Sequence, residues 1–303
     1  MDSDNKMDSD TTLVLDEYSG LFNTSIPHNL NYINISDYNH VIDLTKCVNL
    51  TYINLNNYTG DLDLTKCVNL TYINFNNYTG ELDLTKCVQL AYITLTNYTG
   101  NLDLTNCVHL TDINFNNYTG NGLDLTKCVK LAYINLNNYT GNGLDLTKCV
   151  HLTYINLKNY TGNGLNLTNC VHLTDITLHN YTGNGLDLTK CVNLVYINLK
   201  NYTGNDLNLT KCVNLATLDL YKYSGDLDLT NCINLTYITL NNYTGNGLDL
   251  TKCVKLTYIY LNNYTGNDLD LTKCVHLTYI NLINYTGNGL DLSNCVNLTY
   301  INF

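Results

Sequence analysis

From residue 42 to Phe303 the chain alternates in short bursts: Leu62-Asp63-Leu64, then Ile73-Asn74-Phe75, each with apolar residues around a polar one. That is the period of a half-buried strand, and runs this short are not helices. Between the bursts lie Thr65-Lys66-Cys67-Val68-Asn69-Leu70 and Asn76-Asn77-Tyr78-Thr79-Gly80, which read as corners. Each repeat therefore predicts two short strands on the two faces of a flattened coil, with Leu, Ile and Cys facing inward. Gly60 and its equivalents are expected to supply positive φ or a close backbone approach.

Thirteen cysteines, from Cys47 to Cys295, mark the repeat at spacings of 20 or 21 residues. The longer spacing has a visible cause. Gly60-Asp61-Leu62 in a short coil becomes Gly120-Asn121-Gly122-Leu123 or Gly204-Asn205-Asp206-Leu207 in a long one. An added corner residue changes loop closure little, whereas one inside a strand would turn every inward side chain out. Stacked in parallel at ~4.8 Å, about fifteen rungs make a solenoid near 70 Å long.

The expected fold is all-β: a single right-handed solenoid of about fifteen coils with two short parallel sheets and low curvature. The period overrides the two domains that 303 residues would otherwise suggest. Residues 1–12 are expected to be a disordered acidic tail, 13–41 an N-terminal cap or atypical repeat, and 42–303 the solenoid proper.

Composition narrows the function classes. There is no Trp and no Arg, and the formal net charge is −11, so a nucleic-acid groove of clustered cations is not expected. No stretch approaches the ~20 apolar residues of a membrane span. The start, MDSDNKMDSDTT, lacks the basic end and apolar run of a secretory signal, which predicts a cytoplasmic protein. An odd number of cysteines, all at one repeat position, points to reduced, buried thiols.

The stretch from Leu62 through Cys67, Leu70 and Ile73 to Phe75 resembles leucine-rich repeats, especially the short bacterial type with an LxxLxLxxNxL core. Here the pattern runs Leu70-x-x-Ile73-x-Phe75-x-x-Tyr78, with Tyr78 where that family has Asn. The phenol must then satisfy turn backbone groups differently or point outward. Alternatively Leu62-x-Leu64-x-x-Cys67 is the core strand, as in cysteine-containing leucine-rich repeats. The segment from Leu21 through Pro27 to Ile35 also resembles the FNIP-type repeats of slime moulds and giant viruses. Its Asn, Tyr, Ile and Lys bias without Arg matches an AT-rich genome, so such a virus is the expected source and its host's cytoplasm the expected location. The resemblance implies a protein-binding scaffold.

Repetition turns positions into columns. The cysteine column reads as a ladder of small buried hydrophobes, without the CxxC or fixed His that a metal site would add. Tyr58 and its counterparts read as structural corners whose hydroxyls find backbone partners. A second aromatic column, Tyr32, Tyr52, Tyr72, Tyr92, Tyr133, Tyr154, Tyr196, Tyr237, Tyr258, Tyr279 and Tyr300, precedes an inward Ile and is expected to face outward as a binding strip, broken by Asp112, Asp175 and Thr217. Stacked tyrosines that only stabilise a sheet surface are the competing reading. Asp63 and its equivalents form an acidic column that Lys66 and its equivalents are expected to offset. Asp249, Asp270 and Asp291 are rung neighbours, but a Ca²⁺ site wants several oxygens around one point. His151 and His172 are rung neighbours without a third ligand.

No nucleophile, base and orienting group stand apart from the repeat, so no enzyme, metal or cofactor is expected. The function expected is a scaffold binding an unknown protein through the Tyr/Asn strip. Changes concentrate in surface positions such as Lys158, His179, Lys200, Tyr221 and Ile283. The alternative is a self-assembling solenoid whose copies join through the strand edge at Ile301-Asn302-Phe303.

Overall fold

The second apolar burst of each coil forms the strand, and only that burst. The computed structural model describes residues 12–15, 26–38, 40–120, 122–141, 143–162, 164–183, 185–204, 207–245, 247–267 and 269–303. Most of the acidic tail expected over 1–12, and residues 21–25 of the FNIP-like segment, lie outside them. The chain divides into two compact units, Met1–Cys149 and Val150–Phe303.

In the first unit β1 (Thr12–Leu15) is followed by five-residue strands: β2 (Tyr32–Ser36), β3 (Tyr52–Asn56), β4 (Tyr72–Asn76), β5 (Tyr92–Thr96), β6 (Asp112–Asn116) and β7 (Tyr133–Asn137). The second unit holds three-residue strands: β8 (Tyr154–Asn156), β9 (Asp175–Thr177), β10 (Tyr196–Asn198), β11 (Thr217–Asp219), β12 (Tyr237–Thr239), β13 (Tyr258–Tyr260), β14 (Tyr279–Asn281) and β15 (Tyr300–Asn302). Each pairs in parallel with the next in its unit, column on column: Tyr52 with Tyr72, Ile53 with Ile73, Leu55 with Phe75. The register survives the change from 20 to 21 residues, since Asp112 still pairs with Tyr133. The extra residue is absorbed outside the strands. The result is an all-β parallel solenoid of about fifteen coils, with no helix among the described residues.

The second strand expected at Leu62-Asp63-Leu64 does not form. On that side the described residues carry one isolated bridge, Asp270 with Asp291, in place of a second sheet. The cause is local. Asp63 Oδ1 accepts the Thr65 N–H at 2.9 Å and the Thr65 hydroxyl at 2.6 Å, and such short-range bonds compete with a ladder. Two successive turns follow, closed by Cys67 N–H to Leu64 O (2.9 Å) and Leu70 N–H to Cys67 O (3.1 Å). Cys67 is their shared residue and points into the core.

Leu64, Cys67, Leu70, Ile73, Phe75 and Tyr78, with their equivalents, are buried. Of the two alignments, the strand therefore lies on Leu70-x-x-Ile73-x-Phe75, and Tyr78 occupies the Asn place with its ring inward. These phenols stack coil on coil, Tyr58 on Tyr78 at 6.1 Å and Tyr78 on Tyr98 at 6.2 Å. Their hydroxyls meet corner backbone groups: Tyr78 Oη donates to Glu81 O at 3.1 Å, and Tyr181 Oη accepts the Leu165 N–H of the preceding coil at 3.0 Å.

The ring also explains the glycine. A Cβ on Gly60 would lie 2.7 Å from Tyr58 Cζ. Close approach is the requirement there, and positive φ falls instead on Asn57 (51°) and its equivalents. Asn tolerates that region because its short polar side chain bonds locally.

Candidate functional site

Residues one and three of each strand, and five where the strand has five residues, lie on the side away from the core, so the outer sheet face is built from columns. The first is the predicted tyrosine strip. Tyr32 stacks on Tyr52 at 4.4 Å, Tyr52 on Tyr72 at 4.5 Å and Tyr279 on Tyr300 at 4.5 Å. Tyr92, Tyr258 and Tyr300 are 47%, 44% and 45% exposed; Tyr52, Tyr72, Tyr133, Tyr154, Tyr196, Tyr237 and Tyr279 are half-buried. Burial first, then neighbouring phenols, pushes Tyr52 up to about 12.

The other columns are amide ladders. In the third position Asn54 Nδ2 donates to Asn34 Oδ1 at 2.6 Å, and Asn135 Nδ2 to Asn114 Oδ1 at 2.8 Å. In the fifth, Asn76 Nδ2 donates to Asn56 Oδ1 at 2.9 Å. Just beyond the strand, the positive-φ residues form a further ladder: Asn77 to Asn57, Asn97 to Asn77 and Asn117 to Asn97, each 2.7 Å. Sequence reasoning saw the Asn-Asn pairs but not these ladders. The signal was their unbroken return beside a strand end.

The second unit departs from this pattern over β8 to β11. Tyr154, Asn156, Lys158, Asp175, Thr177, His179, Tyr196 and Asn198 line a depression of about 360 Å³. Thr177 and Asp219 have no amide to donate, so the ladder stops at each. Asn156 Oδ1 and Asn198 Oδ1 are left without a hydrogen-bond partner, as is Asp219 Oδ1, although Asn156 is only 8% exposed and Asn198 7%. A buried acceptor left unpaired costs about 1–3 kcal/mol. Asp219 Oδ2 meets Lys200 Nζ at 3.0 Å. Burial, then the charge of Lys158, holds the His179 imidazole below its ordinary value, with Asn198 acting the other way.

Two features were missed. Tyr260, where most coils have Asn, sets its ring 5.6 Å from Tyr237 and 4.9 Å from Tyr279, making a five-tyrosine patch with Tyr258 and Tyr300. The valine after each cysteine is exposed, between 39% and 50% from Val48 to Val275, with Ile233 in the same column. Cys-Val sits in the turns, where the residue after the inward thiol must face water.

The remaining columns offer structure. Cysteine thiols are buried and free. The Cys191 Sγ–H approaches Leu167 O at 3.7 Å, and burial pushes Cys67, Cys87 and Cys107 up to about 12. A thiol held that far up is a poor nucleophile. The expected offset of the Asp column by lysine is replaced by threonine: the Thr65 hydroxyl first, then its N–H, holds the Asp63 carboxyl below its ordinary range, with Lys66 a minor contribution. His151 and His172 stack at 6.2 Å. Among the described residues no three His, Cys, Asp or Glu side chains gather as a metal site.

No family model and no curated protein matches the chain. Solved structures do match. The functional domain of InlJ from Listeria monocytogenes, described as including a cysteine ladder, superposes with a TM-score of 0.80 at 22% identity, covering 95% of this chain and 66% of that one. This chain thus spans just under two thirds of that domain's length. The LRR protein LIC12759 from Leptospira interrogans follows at 0.70 and 14%, covering 97% and 78%. The plant peptide hormone receptor RGFR1, solved in complex with RGF2, gives 0.68 and 15%, covering 96% and 57%. At these identities the likeness is one of fold: this solenoid is similar to those of leucine-rich-repeat proteins.

Proposed function

We propose that the protein is a non-enzymatic interaction scaffold that binds a polypeptide partner across the Tyr/Asn face of its sheet. The observation carrying this reading is the strip itself: aromatic rings in register, up to 47% exposed at Tyr92, beside amide ladders that offer hydrogen bonds. Aromatic anchors within a polar frame are what protein interfaces use. The complex of RGFR1 with a peptide hormone supports the reading by analogy of fold. Thirteen free thiols support placement in a reducing compartment.

The test compares the native protein with a variant carrying Tyr133→Ser, Tyr154→Ser and Tyr196→Ser, both immobilised and exposed to lysate. A protein held by the native chain and released by a variant with an unchanged unfolding midpoint supports the strip. Equal retention on both overturns it.

A further inference from the structure

The outward tyrosine stack is interrupted twice by aspartate, each time between two tyrosines in register. In the second unit Asp175 pairs in register with Tyr154 on one side and Tyr196 on the other. In the first, Asp112 pairs with Tyr92 and Tyr133. Adjacent strands lie ~4.8 Å apart, so the flanking positions stand roughly 9.6 Å apart, which leaves the place of one planar group. Uninterrupted neighbouring rings of this column lie 4.4 to 6.2 Å apart. The aspartate side chain is shorter than the phenol it replaces and leaves that place open above a carboxylate.

Lys158 and His179 also line the depression around Asp175, and among the described residues neither is ion-paired with it. Thr174 Oγ1 donates to Asp175 Oδ2 at 2.7 Å. In the next column Asn156 and Asn198, both more than nine-tenths buried, keep side-chain oxygens with no donor. They line the same depression as Tyr154, Asp175 and Tyr196. Among the described residues neither Asp112 nor Asp175 is ion-paired with a lysine; Lys200 is taken by Asp219. In the first unit Asn135, 9% exposed, likewise has an unpartnered Oδ1.

We propose that each Tyr–Asp–Tyr gap receives the guanidinium of an arginine side chain from a partner polypeptide. Three properties select that group. It is planar, so it fits between rings and gains cation–π attraction from both. It carries five N–H donors and no acceptor, which matches a carboxylate beside unpaired amide oxygens. And this chain contains no arginine while carrying a net charge of −11, so the cation comes from outside and the field favours a basic partner. An ammonium offers neither the plane nor the fork. Thr217, between Tyr196 and Tyr237, makes a third gap without a carboxylate and takes no cation.

The proposal rests on the scaffold reading, and its test is separable from it. The native protein is titrated with acetyl-arginine amide, and with its citrulline, lysine and glutamate counterparts, while tyrosine ring signals are followed by NMR. The same series is run on a variant with Asp112→Asn and Asp175→Asn, and on one with Asp175→Tyr, which installs the residue most coils carry there. The expected result is that arginine binds at least tenfold tighter than citrulline or lysine. It shifts ring signals of Tyr92, Tyr133, Tyr154 and Tyr196, and the Asn variant loses it at least tenfold. Equal binding of arginine and citrulline, equal binding of lysine, preference for glutamate, or full retention by the Asn variant would each overturn the proposal. If the tyrosine variant sheds a captured partner while arginine binds nowhere, the gap is wrong and the strip stands.

Discussion

Two tyrosine columns run through this molecule at the same spacing, one inward and one outward, and they behave differently. The inward column occupies the corner position from Tyr38 through Tyr285 without substitution, and its rings are almost wholly buried from Tyr38 to Tyr264. The outward column is replaced at Asp112, Asp175 and Thr217. From Tyr58 on, the inward ring fills a volume beside a glycine two residues later, so no other side chain serves. The outward ring only gains from its neighbours. Where it is absent the register holds, and a gap with its own chemistry appears. Uniformity marks what the coil needs, and interruption marks where the surface is free to differ.

The comparison can be broken by experiments of decreasing size. Tyr181→Ala is expected to cost about 3–5 kcal/mol, as for other large-to-small core changes, whereas Tyr72→Ala on the outer face should cost under about 1 kcal/mol. Urea unfolding, read alongside hydrogen exchange because repeat arrays can unfold in parts, would show comparable losses if the two columns were equivalent.

Gly80→Ala sharpens the point. Its Cβ would lie 2.6 Å from Tyr78 Cζ, an overpacking expected to cost about 1–3 kcal/mol. Combining it with Tyr78→Leu should recover part of that loss, and strict additivity in the cycle would deny the contact. Tyr181→Phe leaves the Leu165 N–H unpaired and is expected to cost about 1–3 kcal/mol. Tyr72→Phe is expected to be neutral, and the pair is read from unfolding midpoints.

Lys222, like Asp37 earlier in the chain, replaces asparagine in the positive-φ column, at φ 61°. Lys222→Asn is expected to stabilise by about 1 kcal/mol, because Asn tolerates that backbone and can rejoin the amide ladder between Asn201 and Asn242. A lowered midpoint would contradict this. The smallest effect concerns acid. Asp124 is held below its ordinary 3.8, first by the Thr126 hydroxyl and then by its N–H. A depressed folded value means that this contribution is present above the unfolded pKa and lost as pH falls through the folded one. Thr126→Val should therefore leave stability near pH 2 unchanged and lower it slightly above pH 4; an equal loss at both would remove the carboxylate from the explanation.

Much of the coil was legible in the sequence. The alternation in Ile73-Asn74-Phe75 sets strand and inward face, the cysteine spacing sets the rung, and the added residue of Gly120-Asn121-Gly122 could go only where no register depends on it. These follow from period and composition, which are properties of one coil. Two readings needed the neighbours. Leu62-Asp63-Leu64 alternates like a strand, but the Asp63–Thr65 bonds capture the backbone first. The glycine read as serving positive φ or a close approach serves the second, confined by a ring two residues before it. The candidate site divides the same way. The tyrosine strip and its interruptions could be read directly, because outward direction follows from position in a strand. The unpaired oxygens of Asn156 and Asn198 could not, because an amide's partner belongs to the next coil. Local pattern determined each rung; which polar groups find partners was decided only when one rung was laid on another.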